Sequence, residues 1–276
     1  MSYKISGEYT SWKEAQADIL TSLRDRDVAV LFSGGKDSSV LLHFLLAASE
    51  DFGFDFEVYT ACFPKHRYAT AEFDKLDAFW KEQGQTIRRY DAGISDDSLK
   101  TGDDPCIVCT QTRKRMLYET MNSQYTDLNN LVIVTGYTLW DLTSYSLEYL
   151  MGAVYTHPNT EEAQRSQARF METGQRFYPL LKMPKGFCTY RPLLRYNTQD
   201  VLRIIQEASM PVLSEPCRYA RYRPKRTFES YFSSRDLHFD YNRLFDFARK
   251  CLGLPSMGDY QSRGQQYFTK RKFYEP

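Results

Sequence analysis

One hexapeptide limits what this chain can be more than any other feature: Ser33-Gly34-Gly35-Lys36-Asp37-Ser38. It stands between an apolar run, Val28-Ala29-Val30-Leu31-Phe32, that reads as a buried strand, and an apolar helical stretch from Ser38 to Ala48. Two glycines let backbone N–H groups come close to an anion, and the N-terminus of the following helix adds the positive end of its dipole. Ser33 and Ser38 supply hydroxyls, Lys36 a point charge, and Asp37 a carboxylate able to hold Mg²⁺ against phosphate oxygens. The spacing is neither that of a Walker A loop nor that of a dinucleotide fingerprint. It reads as a phosphate-binding strand-to-helix turn of another kind.

The pattern around the loop gives the fold class. A second strand is expected over Phe56 to Cys62, a helix over Ala69 to Gln83, a weaker strand over Thr86 to Tyr90, and a helix over Cys109 to Ser123. Leu131 to Val134 reads as a strong strand ending at Thr135-Gly136. Strands alternating with helices predict βαβ units and a parallel sheet. Beyond residue 155 the pattern is less regular. Thr156 to Glu172 reads as a loop or an exposed helix, Arg191 to Tyr196 as a strand, and Asn197-Thr198 as the cap of a helix whose apolar face carries Val201, Leu202, Ile204 and Ile205. Further helical patterns lie near Thr227 to Phe232 and Tyr241 to Cys251, while Met210 to Arg226 fits no regular element.

SGGKDS resembles the PP-loop of the ATP pyrophosphatase superfamily. The resemblance implies a Rossmann-like PP-loop fold: an α/β domain with a parallel twisted sheet and helices on both faces. It also implies ATP bound with Mg²⁺ at Ser33, Gly34, Gly35, Lys36, Asp37 and Ser38, and adenylation of an oxygen with release of pyrophosphate.

The cysteines narrow the branch. Cys106 and Cys109 form a CxxC followed by Arg113-Lys114-Arg115. A single CxxC is compatible with a redox pair, metal ligands or simple packing. A Cys₄ zinc site is disfavoured because there is no second close pair. Together with a lone Cys217 after a proline and the Arg191-Pro192-Leu193 segment, the pattern resembles the TtcA/TtuA-type tRNA thiolases. That resemblance implies that Cys106, Cys109 and Cys217 hold a [4Fe-4S] cluster with one iron free of protein ligand, and that Arg113 belongs to the catalytic surroundings. Cys62, Cys188 and Cys251 are expected in the core.

The resemblance is incomplete. Where family members carry Gly-His-x-x-Asp-Asp, this chain has Gly136-Tyr137-Thr138-Leu139-Trp140-Asp141. Gly136 and Asp141 match; Tyr137 and Trp140 depart. Gly136 is expected to approach the nucleotide. Asp141 is expected to contact Mg²⁺ or help activate the acceptor, with a helix N-cap as its plain structural alternative. Paired CxxC ribbons flanking the core are absent.

Charge sorts by position. The 276 residues carry 36 basic and 35 acidic side chains, yet 18 basic and only 9 acidic fall within 181–276. The run CRYARYRPKR at 217–226 and Lys270-Arg271-Lys272 combine cations with aromatic rings, a composition that can grip phosphates and stack bases. We therefore divide the chain into a PP-loop domain at 1–180 and a basic, mainly helical C-terminal region at 181–276. No apolar run reaches the roughly 18 residues of a membrane span and no secretory signal pattern opens the chain, so a cytoplasmic protein without membrane partners is expected. The expected activity is ATP-dependent transfer of sulfur to nucleic acid, a tRNA base first. A cysteine desulfurase or other sulfur donor is the expected partner, and a homodimer is allowed. DNA phosphorothioation, thiolation of a free nucleobase or other small molecule, a PAPS-reductase-like redox reaction and a non-enzymatic nucleotide-binding subunit are the alternatives.

Overall fold

The computed structural model describes residues 7–100, 104–155, 161–214 and 217–268. Six strands form one sheet: β1 (Asp27–Leu31), β2 (Glu57–Ala61), β3 (Ile87–Tyr90), β4 (Leu131–Thr135), β5 (Leu180–Lys182) and β6 (Cys188–Tyr190). Eleven helices are described. They are α1 (Glu8–Thr21), α2 (Lys36–Phe52), α3 (Lys65–Tyr68), α4 (Ala71–Glu82), α5 (Pro105–Gln124), α6 (Leu139–Tyr155), α7 (Glu161–Gly174), α8 (Thr198–Glu207), α9 (Pro224–Ser234), α10 (Tyr241–Cys251) and α11 (Met257–Phe268). The strand order is β3-β2-β1-β4-β6-β5, parallel throughout except for β5, which runs antiparallel to β6.

Strand periodicity explains why both sheet faces are covered. Along β1, Val28 and Val30 point into a large core built with α2, α4 and α8, where Leu41, Phe44, Trp80 and Ile204 are buried. Ala29 points the other way, with Tyr59, Leu131 and Ile133, onto Met121 of α5. Side chains alternate across a strand, so a strand buried on both faces must be apolar throughout. A second core of Leu139, Leu142, Phe170, Tyr241 and Ala248 joins α6, α7 and α10.

The α/β sheet expected from the sequence is present; α2 and α5 run a few residues beyond the expected bounds, and α4 stops short of them. Two readings change and one gains detail. Arg191 to Tyr196 is a turn: the strand stops at Tyr190, Pro192 has no N–H to give the ladder, and Tyr196 N donates to Leu193 O at 3.0 Å. The expected helix cap at Asn197 is a capping box, with Asp200 accepting from Asn197 N at 2.9 Å. The division drawn at residue 180 passes through the sheet, since β5 begins at Leu180 and β6 pairs with β4. Within Thr156 to Glu172, residues 156–160 lie outside the described residues and the remainder belongs to α7. Among the described residues, no helix is long and apolar enough to cross a membrane.

Candidate functional site

The strand order reverses between β1 and β4, and the loops after both strands leave the same edge of the sheet. In open α/β sheets, ligands bind at such a switch point beyond the carboxyl ends of the strands. The loop 33–38 occupies it. Gly34 has φ +74°, and its carbonyl accepts from Leu213 N at 2.8 Å. A Cβ there would lie 2.7 Å from Leu213 Cδ1, so conformation and space both require glycine. The two serines brace the turn: Ser38 Oγ donates to Gly35 O at 2.8 Å, accepts from Ser33 N at 3.2 Å, and lies 3.1 Å from Ser33 Oγ. Gly35 caps α2 with extended backbone and no side-chain hydrogen bond, so the first N–H groups of α2 remain available to an external acceptor. Lys36 Nζ sits 2.7 Å from Asp37 Oδ1, both side chains about one-fifth exposed.

Gly136, at the end of β4, packs directly on this loop. A Cβ at Gly136 would stand 3.0 Å from Asp37 O and 3.2 Å from Ser38 N. Its smallness therefore serves the seating of β4 against the start of α2, a close backbone approach that any larger residue would wedge apart. Thr138 precedes α6, and Asp141 Oδ2 accepts from both Thr138 N (2.9 Å) and Thr138 Oγ1 (3.1 Å), the carboxylate half of a capping box, with the hydroxyl donating to Asp141 instead of accepting from its N–H. The other carboxylate oxygen of Asp141 takes the ammonium of Lys225, which reaches in from α9 and also lies 3.4 Å from Glu229. Burial pushes Asp141 up, but the Lys225 charge and hydrogen bond, with the Thr138 N–H, outweigh it and hold the carboxyl below its ordinary range. Asp37 goes the other way: burial raises it, and Lys36 and Lys225 only partly compensate. Two carboxylates and two ammonium groups thus share one electrostatic cluster beside the loop. Trp140 is no site residue. It is 2% exposed, donates to Asn197 Oδ1 at 3.2 Å and packs edge-on against Phe232.

At Tyr137 the guanidinium of Arg176 lies 4.6 Å from the ring, and it lies 4.9 Å from the ring of Tyr145. Neither Lys225 nor Arg176 was singled out by the sequence reading. Lys225 sat inside the basic run, where nothing distinguished it from its neighbours, and Arg176 carried no local signal.

The cysteine region is the second half of the site. Asp104 caps α5 by accepting from Cys106 N at 2.8 Å, which puts the CxxC on the first turn of that helix. Cys109 is buried against Phe63, Leu99 and Met116. Cys217 comes from the far side of the chain: its Sγ lies 3.5 Å from His66 Nε2, and Cys106 Sγ lies 3.6 Å from Tyr219 O. The segment carrying Cys217 therefore closes over the start of α5. His66 is fixed in turn by Asp96, which accepts from its Nδ1 at 2.8 Å and from the backbone N–H groups of Lys65 and His66. Burial raises the thiols of Cys106 and Cys109; Arg223 and Arg113 oppose that, while Cys217 adds to it. Arg113 is itself set beside Tyr68, Cys109 and Tyr137. Among the described residues no three His, Cys, Asp or Glu side chains close on a common single-ion position. The chemistry of the donor set nevertheless suits a cluster, in which each thiolate binds a different iron instead of all three binding one. Of the cysteines expected in the core, Cys62 and Cys188 are half-buried, and Cys251 is exposed at the end of α10. Cys251 lies on the outer side of an amphipathic helix whose buried residues are Tyr241 and Ala248. Lys270, Arg271 and Lys272 lie outside the described residues.

Comparison with known proteins supplies one useful neighbour. The U34-tRNA thiolase NcsA from Methanococcus maripaludis, solved with its [4Fe-4S] cluster, superposes with a TM-score of 0.63 at 16% identity, over 90% of this chain and 81% of that one. NAD⁺ synthetase from Burkholderia pseudomallei (TM-score 0.44, 17% identity, 100% and 93% covered) and NMN synthetase from Francisella tularensis (0.45, 11%, 92% and 98%) are too distant in shape to carry an argument. No protein-family model and no curated protein sequence matches the chain. What the likeness to the thiolase establishes is the fold: a Rossmann-like α/β sheet of the PP-loop kind, with its glycine loop after the first strand.

Proposed function

We propose that this protein is an ATP-dependent sulfurtransferase acting on nucleic acid, with a tRNA base as first candidate. One observation carries the reading. Leu213 N donates to Gly34 O of the phosphate-type loop at 2.8 Å, and four residues on, the same stretch of chain brings Cys217, with Tyr219 O 3.6 Å from Cys106 Sγ. In this reading one segment ties a nucleotide-activating loop to a thiol site.

In this reading the loop N–H groups and Lys36 hold the ATP phosphates, and Asp37 and Asp141 offer carboxylates to Mg²⁺. Lys225 must release Asp141 Oδ1 when the cation arrives, and it then remains as a cation beside the leaving pyrophosphate. The acceptor oxygen attacks the α-phosphorus, pyrophosphate leaves, and hydrosulfide displaces AMP, so carbon exchanges oxygen for sulfur with no net redox change. Cys106, Cys109 and Cys217 would hold a [4Fe-4S] cluster whose ligand-free iron can bind sulfide. Arg113 lies beside Cys109, where its charge favours an anionic sulfur species.

The test is direct. The protein, purified without oxygen, is analysed for iron and acid-labile sulfide. It is then incubated with ATP, Mg²⁺, sulfide and total tRNA, or with DNA, or with free nucleobases. Pyrophosphate release and thionucleosides are measured by mass spectrometry. Thiolated tRNA that disappears in Cys217→Ala supports the reading. A thiolated product in DNA or a free base moves the acceptor. Iron-free protein after reconstitution, with no thiolated product, ends it.

A further inference from the structure

Arg176 sits on a short 3₁₀ turn, Gln175–Phe177, between α7 and β5. That turn is pinned. Phe177 is fully buried in the core that joins α6, α7 and α10, and its carbonyl accepts from Tyr241 Oη at 2.5 Å. Arg191 donates to Tyr178 O and to Gln175 Oε1, both at 3.0 Å. Arg191 thus spends its fork on the neighbours of Arg176.

Arg176 itself is held by aromatic rings. Its guanidinium carbon lies 4.6 Å from the centre of the Tyr137 ring and 4.9 Å from that of Tyr145. Ring faces fix the position of a guanidinium and leave its N–H edges unused. Among the described residues no carboxylate pairs with Arg176 and no acceptor takes its N–H groups, and the side chain is partly exposed. Glu172, four residues earlier, is engaged by Lys114 at 2.6 Å.

Both rings belong to the site. Tyr137 follows Gly136, whose backbone packs so closely on the glycine loop that a Cβ would stand 3.0 Å from Asp37 O. Tyr145 comes four residues after Asp141 on α6, so the two side chains share one face of that helix, a turn apart. One ring ties the guanidinium to the loop and the other ties it to the Asp141 carboxylate. The lysines of the site are already paired, Lys36 with Asp37 at 2.7 Å and Lys225 with Asp141 and Glu229. Arg176 therefore brings an uncompensated charge. A cation partly withdrawn from water costs free energy that an arriving anion removes. The planar fork of arginine matches two oxygens on one phosphorus. In the reaction read above, Lys225 stays with the leaving pyrophosphate. The phosphorus under attack has no cation of its own, although charge builds on its oxygens.

We propose that Arg176 binds the α-phosphate of the nucleotide and is a catalytic residue of the adenylation step. The acceptor oxygen bonds to the α-phosphorus, the bond to the pyrophosphate oxygen breaks, and the Arg176 N–H groups donate to the two oxygens that stay on phosphorus. The guanidinium forms no covalent bond and moves no proton. This deepens the ATP-dependent reading and rests on its adenylation step.

The test uses the intact, iron-loaded protein. Calorimetry gives its affinity for AMP, for pyrophosphate and for tRNA without nucleotide, and pyrophosphate release is followed with Mg²⁺, ATP and excess tRNA. Arg176→Gln is expected to bind AMP about tenfold more weakly and pyrophosphate with unchanged affinity. Its kcat for pyrophosphate release is expected to fall about a hundredfold. Arg176→Lys keeps the charge without the fork and should recover part of both losses, which guards against a misfolded variant. Tyr145→Leu removes one wall of the sandwich and should weaken AMP by about threefold. Arg243→Gln, exposed on α10, should alter none of these values. Unchanged AMP affinity and unchanged kcat in Arg176→Gln overturn the proposal. So does a loss of tRNA affinity with normal AMP binding, because the phosphate would then belong to the acceptor backbone. Arginine-dependent AMP binding without any thiolated product would remove the sulfur-transfer reading and leave the phosphate contact. An unaltered protein that binds no nucleotide and releases no pyrophosphate would end both.

Discussion

Gly34 shows how much chemistry one residue can carry. Its positive φ is strained for any L side chain, and Leu213 fills the space a Cβ would need. Gly34→Ala is therefore expected to cost about 1–2 kcal/mol from backbone strain, with more from the clash, read as a lowered midpoint in urea unfolding. The same variant should weaken ATP-driven pyrophosphate release, because the loop N–H groups turn with the backbone. His66 is the residue that sequence reading passed over. A lone histidine in a one-turn helix has no pattern, yet it touches Cys217 and is held by Asp96. Outer partners of this kind orient metal ligands. His66→Ala is expected to lower iron bound per chain after reconstitution while the melting temperature moves by a few degrees at most. Full iron loading in that variant would show that Cys217 needs no such support.

At the scale of single elements, α2 bears the cost of its burial. Ten of its residues are buried, among them His43 at 1% exposure. Burial pushes the His43 imidazole down to about 4 from 6.5. Between about pH 6.5 and about pH 4 the unfolded chain therefore binds a proton that the folded chain refuses, and stability falls as the pH drops through that window. The full shift is worth about 3 kcal/mol. Urea midpoints at pH 7 and pH 4.5 should differ by a large part of that, and His43→Leu should flatten the dependence; an unchanged slope would mean that the imidazole titrates normally inside α2. The α6 entry teaches a different point. Asp141 is a candidate for Mg²⁺ by position, and at the same time it takes the Thr138 N–H at the start of that helix and pairs with Lys225. One carboxylate serves local structure and the site together, so loss of activity in Asp141→Ala would not by itself separate the roles. Asp141→Asn keeps the Thr138 hydrogen bond and isolates the charge.

For the whole molecule, the sheet decides where the chain can be cut. β5 and β6 follow residue 179, but β6 pairs with β4 and β5 with β6, and α8 packs against α2 behind them. A fragment ending at residue 180 would expose the β4 edge and the α2 face that α8 covers, and exposed edges of this kind promote aggregation. Expressed alone, it is expected to be insoluble or molten, with near-UV circular dichroism lost. A folded, soluble fragment would restore the division that the charge distribution drew. The charge asymmetry is real in the sequence, yet it tracks a surface: Lys225 and Arg223 act on groups of α6, α2 and α5 instead of forming a unit of their own.

By itself the sequence determined the strand-loop-helix at 33–38, the parallel sheet and the CxxC at a helix start, because each is written in contiguous residues: apolar period, paired glycines, a cap. The hairpin at 180–190 was not legible, since strands of three residues are too short to show a period. Only the tertiary structure could bring Cys217 to His66 and Lys225 to Asp141. Those contacts join residues 151 and 84 positions apart in the chain. Their physical cause is the closing of one chain segment over another, which no local pattern encodes.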